Sequence, residues 1–166
     1  MHKISHFLVG LALSTTPIGV VYSQDQTDPE ETLDIYVLDT EGGESVLYIA
    51  PTGEAMLFDT GGGDEAANER DYKRILSLVE ETKIPVLDYV IISHNHRDHV
   101  GNAANLPNLP IRNIRQFLDH GPYTTELQPL QRGPFVKYLE IRNFAKARKA
   151  EPGEAFSFGA VDVHVV

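Results

Sequence analysis

The chain has 166 residues, 14 Lys+Arg against 24 Asp+Glu for a formal net charge of −10, thirteen glycines, ten prolines and no cysteine. That length suits one domain with a real core, and the composition is that of a globular protein, which sets aside disordered and fibrous classes. An acidic surface repels polyphosphate at long range, so strong nucleic-acid binding is not expected, and without cysteine neither a disulfide nor lipidation at a thiol is available.

Residues 1–23 read as a secretory signal peptide. "MHKISH" carries Lys3, "FLVGLALSTTPIGVV" is apolar but interrupted by Ser14, Thr15, Thr16 and Pro17, and Val21 and Ser23 occupy the −3 and −1 positions of a cleavage site. The apolar run falls short of the roughly 18 uninterrupted residues that a spanning helix needs. Cleavage near Ser23 is therefore expected, leaving no stable membrane anchor and a secreted or periplasmic destination. It would remove Lys3 and no acid, so thirteen Lys+Arg face twenty-four Asp+Glu, a net charge of −11. Residues 24–32, "QDQTDPEET", form a polar, acidic lead-in expected to be disordered.

A domain over residues 33–166 comes next. "LDIYVLDT", "SVLYIAP" and "EAMLFDT", separated by the turn chemistry of "EGGE" and "PTGE", predict a three-stranded antiparallel meander with Leu33, Ile35 and Val37 on one face. The period then changes. Tyr72, Ile75, Leu76 and Val79 fall at i, i+3, i+4 and i+7, which predicts an amphipathic helix with Asn68 as N-cap, Asp71 three residues on and Pro85 as the stop.

"VLDYVIIS" is a continuous β-branched run, the pattern of a strand covered on both faces. Beyond it, "VGNAANL" predicts a short helix and "IRNIRQFLD" a strand. "GPFVKYLEIRNFAKARKA" predicts a helix with Phe135, Tyr138, Leu139 and Ile141 at helical spacing behind Pro134 in its first turn. "AVDVHVV" is a last strand. A domain that stops on an uncapped strand leaves an open edge, so the chain is expected to be truncated at its C-terminus; the alternative is a final strand tucked into the sheet.

The segment "ISHNHRDHVGN", residues 92–102, gathers His94, His96, Asp98 and His99 on a strand-to-helix loop, where side chains at these offsets can converge on one cavity. Imidazole and carboxylate are ligands of borderline divalent metals, and the lack of cysteine points to zinc, manganese or iron in N/O coordination. The plainer alternative, a polar loop whose histidines bond only to one another or to solvent, is costly at the mouth of a buried strand. The glycines of "DTGGGD" are not a phosphate loop, because no Gly-Lys-Ser/Thr comes after them; they let the chain turn close beneath the cluster.

His-x-His-x-Asp-His followed by "VGN" resembles the zinc-binding signature of the metallo-β-lactamase superfamily. The likeness covers roughly residues 33–120: an opening hairpin, "FDTG" closing a strand, an amphipathic helix and a buried strand ending in "SH". It implies an α/β (α+β) fold, the N-terminal half of an αββα sandwich with a mixed sheet and flanking helices. It also implies a metal-dependent hydrolase with one or two zinc ions, acting on an ester, amide or phosphodiester bond of a small-molecule or phosphodiester substrate.

By the same resemblance His94 and His96 hold the first ion and Asp98 and His99 the second, Asp98 also orienting the hydroxide that attacks the substrate. Asp59 would accept a proton from a ligand histidine and fix its tautomer; alternatively it is a turn-forming residue before glycines. His120, in "FLDHGPY", is either a further ligand or substrate contact or simply a turn residue, and Asp119 shares both readings. His164 is expected on the exposed face of the last strand. The superfamily normally adds a further histidine, a bridging aspartate and a last histidine from its second half, and beyond His99 the chain offers only His120 and His164. The hairpin "LDTEGGESVLY" is similar to that of the hydrolase domain attached to bacterial competence (DNA-uptake) proteins, from which Thr40 and Glu41 depart. Two rival readings stand beside the enzyme: a non-catalytic metal-binding module, and an inactive truncated fragment that cannot bury its sheet.

Overall fold

The computed structural model describes residues 32–121, 132–144 and 146–166. The expected signal peptide and the lead-in up to residue 31 lie outside the described residues. The meander forms as expected: β1 (Asp34–Val37), β2 (Val46–Ile49) and β3 (Ala55–Phe58) pair antiparallel in sequence order. Three parallel neighbours extend it, β4 (Val86–Ile92), β5 (Asn113–Asp119) and the short β6 (Arg148–Lys149). The result is one mixed six-stranded sheet in the order β1-β2-β3-β4-β5-β6.

Strand periodicity sorts the side chains between two faces. Leu47, Leu57, Val90 and Phe117 lie in register across β2 to β5 and enter the main core. The helices cover this face. α1 (Glu65–Thr82) buries Ile75 and Val79, and α3 (Arg132–Phe144) buries Phe135 and Tyr138, with Leu139 and Ile141 partly covered. Each fully buried aliphatic side chain contributes about 1.5–3 kcal/mol. On the other face, Met56 packs with Ala50 and Phe158, and Tyr48, Tyr89 and Ile91 lean against them. Phe158 belongs to a separate hairpin of β7 (Ala155–Phe158) and β8 (Val161–His164), so β4 is indeed covered on both sides.

The structure changes three expectations. Asp64, not Asn68, caps α1: its Oδ1 accepts from Ala67 N at 2.8 Å, while Asn68 sits inside the first turn and accepts from Gly63 N at 3.0 Å. The helix therefore starts earlier, because the glycine run ends in a residue already able to cap. Lys83 in the left-handed region closes it at the other end, ahead of Pro85. The last strand is not alone, since β7 pairs with it; "AFSF" is too short and too closely flanked by turns to stand out in the sequence. His164 is exposed there, as expected. Finally, "VGNAANL" splits into α2 (Arg97–Val100) and a 3-10 helix over Ala103–Asn108, with Val100, Ala103 and Leu106 fully buried. No helix among the described residues is long and apolar enough to cross a membrane.

Candidate metal centre

Parallel pairing aligns the C-terminal ends of β3, β4 and β5 along one rim, the edge where open α/β sheets bind ligands. Phe58 pairs with Ile91 and Ile92 with Asp119, so Asp59, Ser93 and His120 all leave the sheet at this edge. Because β2 runs antiparallel to β3, with Val46 opposite Phe58, the tip of the β1–β2 hairpin reaches the same rim. Backbone hydrogen bonds tie the three loops together: Gly61 N to Glu44 O at 2.7 Å, Thr60 N to His99 O at 2.7 Å, Gly101 N to Gly61 O at 3.0 Å and Glu44 N to Asp98 O at 3.3 Å. Such contact needs bare backbone. A Cβ on Gly101 would lie 2.6 Å from Gly61 O, and Gly62, at φ 105°, would push one to 2.8 Å from Gly101 Cα.

Within this knot Asp59 is fully buried and, at φ 55°, in the left-handed region. Its Oδ1 accepts from Ser93 N at 2.8 Å, and its Oδ2 accepts from Ser93 Oγ and from His99 Nδ1, the latter at 2.7 Å. With its proton directed to Asp59, Ser93 Oγ accepts from His94 Nδ1 at 3.0 Å. Two imidazoles are thus held through Nδ1 by one carboxylate, directly or through a hydroxyl, and in both the Nε2 lone pair is left for another partner. The rings crowd together: the His94 centroid lies 4.0 Å from that of His99 and 4.5 Å from that of His96. Burial, then the neighbouring His99 and His96, push the His94 imidazole below its ordinary range, toward the neutral form that metals bind.

Asp98 stands in the first turn of α2 with its side chain 39% exposed, and its Oδ2 is 3.7 Å from His99 Nε2. Glu44, Asp59 and His99 each present a ligand atom within 4.8 Å of the others, a group able to hold a metal ion. The oxygens of Asp59 are already engaged by three donors, so it acts on His99 rather than beside it. His94 touches the His99 ring and His96 touches that of His94; neither is part of the tighter group. Sequence reasoning misses Glu44 and Ser93. Glu44 reads as hairpin-turn chemistry, although an acid directly after Gly-Gly is a cue, and Ser93 merely precedes the motif.

Asp119 keeps the turn role, one of its two expected readings, its Oδ1 accepting from Gly121 N two residues on, and takes a further role that neither reading includes. Oδ2 accepts from Tyr138 Oη at 2.8 Å and Arg142 Nε at 2.6 Å, and Oδ1 from Arg142 Nη2 at 3.1 Å and Gly121 N at 2.8 Å. Burial alone would raise its pKa, but the bonds from Arg142, Tyr138 and Gly121, with the charge of Arg142, hold the carboxyl below its ordinary range. Burial and the adjacent Asp119 push the Tyr138 phenol up. This saturated carboxylate anchors α3 to the end of β5. His120 sits next to it on the rim, half-buried.

Residues 39–164, well over half of the chain, match the metallo-beta-lactamase superfamily. The chain belongs to the metallo-beta-lactamase superfamily. Its mixed sheet with flanking helices is the fold that membership implies, and the superfamily likeness read from "HNHRDH" and "FDTG" is borne out. The match is to the metallo-beta-lactamase superfamily as a whole. No curated protein sequence matches the chain.

Proposed function

We propose that the protein is an exported metal-dependent hydrolase in which His94, His96, Asp98 and His99 hold one or two divalent ions, zinc before manganese or iron. The observation that carries this is the bond from His99 Nδ1 to the buried Asp59 carboxylate at 2.7 Å, with the His94 ring packed against His99 and the His96 ring against His94. The donor set fits a cation: the imidazoles of His94 and His99, each held through Nδ1 with Nε2 unspent, and a half-exposed carboxylate 3.7 Å from one of them. A divalent cation, when bound, supplies Lewis acidity, making water acidic near neutral pH and stabilising negative charge on a carbonyl or phosphoryl oxygen.

The protein's own groups do the rest. Asp59 fixes the tautomer of His99, and Ser93 passes the same constraint to His94. Asp98, on the open side, orients the attacking water and takes up its proton. The bond cleaved is an ester, amide or phosphodiester in a small-molecule or phosphodiester substrate. The likeness of the hairpin to competence-type hydrolases favours phosphodiesters, whereas the net charge of −10 disfavours long polyanions. Export rests on the character of residues 1–23, with cleavage after Ser23 the outcome to seek by mass spectrometry of the processed protein.

The deciding experiment titrates zinc into the purified chain and assays a generic phosphodiester, a lactone and a lactam. Two bound equivalents with turnover support the hydrolase. One tight equivalent without turnover supports a non-catalytic metal module instead, and no binding refutes both.

A further inference from the structure

We infer that Glu44, at the tip of the β1–β2 hairpin, is an additional ligand to the cation held on the Asp98–His99 side of the cluster. This rests on the metal-binding reading above and adds a residue that lies far upstream of the His-x-His-x-Asp-His motif in sequence.

Three observations carry it. First, a carboxylate oxygen of Glu44 lies within 4.8 Å of the ligand atoms of both His99 and Asp59. Second, its position is built, not incidental. Glu44 N donates to Asp98 O at 3.3 Å and Glu44 O accepts from Gly61 N at 2.7 Å, so the peptide groups on either side of its side chain are fastened to the two loops that carry the site. The preceding residue has to be glycine for this, because a Cβ on Gly43 would lie 2.2 Å from Asp98 O. Third, the Glu44 carboxylate enters no salt bridge among the described residues, in contrast to Glu41 on the same turn, which pairs with Arg70 at 2.8 Å.

The chemistry agrees. Asp59 is spent on Ser93 and His99, so among the described residues Asp98 and Glu44 are the acids near His99 with oxygens to give. A carboxylate with a flexible stem is the donor that can complete a loosely held ion while leaving room for water. Without it, two ions would share four ligands.

The test compares the wild-type chain with Glu44→Gln and Glu44→Asp, measuring bound zinc after dialysis by elemental analysis, affinity by competition with a chromogenic chelator, and the visible spectrum with cobalt(II) in place of zinc. The amide keeps the size of the side chain, and the hairpin's bonds to Asp98 and Gly61 come from the backbone, so unchanged melting of the metal-free protein serves as the control. The expected result is an affinity for the weaker-held ion lower by about tenfold or more in Glu44→Gln, a changed cobalt spectrum, and partial recovery in Glu44→Asp. Equal stoichiometry, affinity and spectrum in wild type and Glu44→Gln overturn this inference and leave the metal centre standing. Absence of metal binding in the wild-type chain overturns both.

Discussion

Substituting Asp59→Asn removes one charge and almost no volume, and its effect can be worked out donor by donor. The carboxylate receives three donors, Ser93 N on Oδ1 and Ser93 Oγ and His99 Nδ1 on Oδ2. An amide has one acceptor atom. If its oxygen faces Ser93 N, its NH2 group meets two donors, and His99 keeps a bond only by moving its proton to Nε2, where it blocks coordination. If its oxygen faces His99, the NH2 group opposes Ser93 N–H in a fully buried site. The first arrangement costs metal affinity, about 10- to 100-fold, equivalent to about 1.4–2.7 kcal/mol. The second costs about 1–3 kcal/mol of folding stability for a buried unsatisfied donor. Chelator competition measures one and urea unfolding of the metal-free protein the other. Asp59→Asn protein matching wild type in both would refute the tautomer argument and return Asp59 to a plain turn residue.

Joint replacement of His94 and His96 by alanine is expected to lower the zinc stoichiometry, read by elemental analysis, and unchanged stoichiometry would sink the site. Saturating zinc should raise the melting temperature by mass action, with a gain of at most about 2.7 kcal/mol at a free concentration one hundred times Kd, the value for an unfolded chain that binds no zinc; scanning calorimetry with and without zinc checks it. Asp119→Ala takes the shared acceptor away from a largely buried guanidinium and a buried phenol, and should cost about 3–5 kcal/mol in urea unfolding. Because the folded state holds the Asp119 carboxyl below its ordinary range, its contribution is complete above about pH 4 and fades as pH falls through the depressed folded value. The acid limb of the wild-type stability profile should therefore be steeper than that of Asp119→Ala. Gly101→Ala, whose new Cβ would lie 2.6 Å from Gly61 O, should weaken both stability and zinc affinity, where an ordinary surface Gly→Ala change would leave the second untouched.

The sequence carries what is local. Alternation marks β1, turn chemistry sets off β2 and β3, a continuous β-branched run marks β4, the 3.6-residue period marks α1 and α3, and the four motif residues can be picked out because they fall within six positions. Long-range placement is hidden. Nothing in "EGGE" says that β2 runs back along β3 and brings Glu44 against His99, nor does "FLDHG" say that Asp119 is consumed by a helix starting thirteen residues later. Asn68 looks like a cap because Asp64 lies at the end of a glycine run that reads as loop, and a helix start is decided by which side chain reaches an orphan N–H. β7 escapes notice for want of length, since four residues between two turns show too little alternation to be distinguished.

The donors of the centre divide into two kinds by origin. His94, His96, Asp98 and His99 remain neighbours even in an unravelled polypeptide, whereas the partner that disciplines their protons, Asp59, arrives from 40 positions away. A denatured chain therefore stays a weak chelator with disordered imidazoles, and the ion rewards folding only by the margin between that crude grip and the finished one. Zinc should consequently protect this protein against unfolding less than its native affinity alone would suggest, and that shortfall measures how much of the site is written in the loop and how much is conferred by the sheet around it.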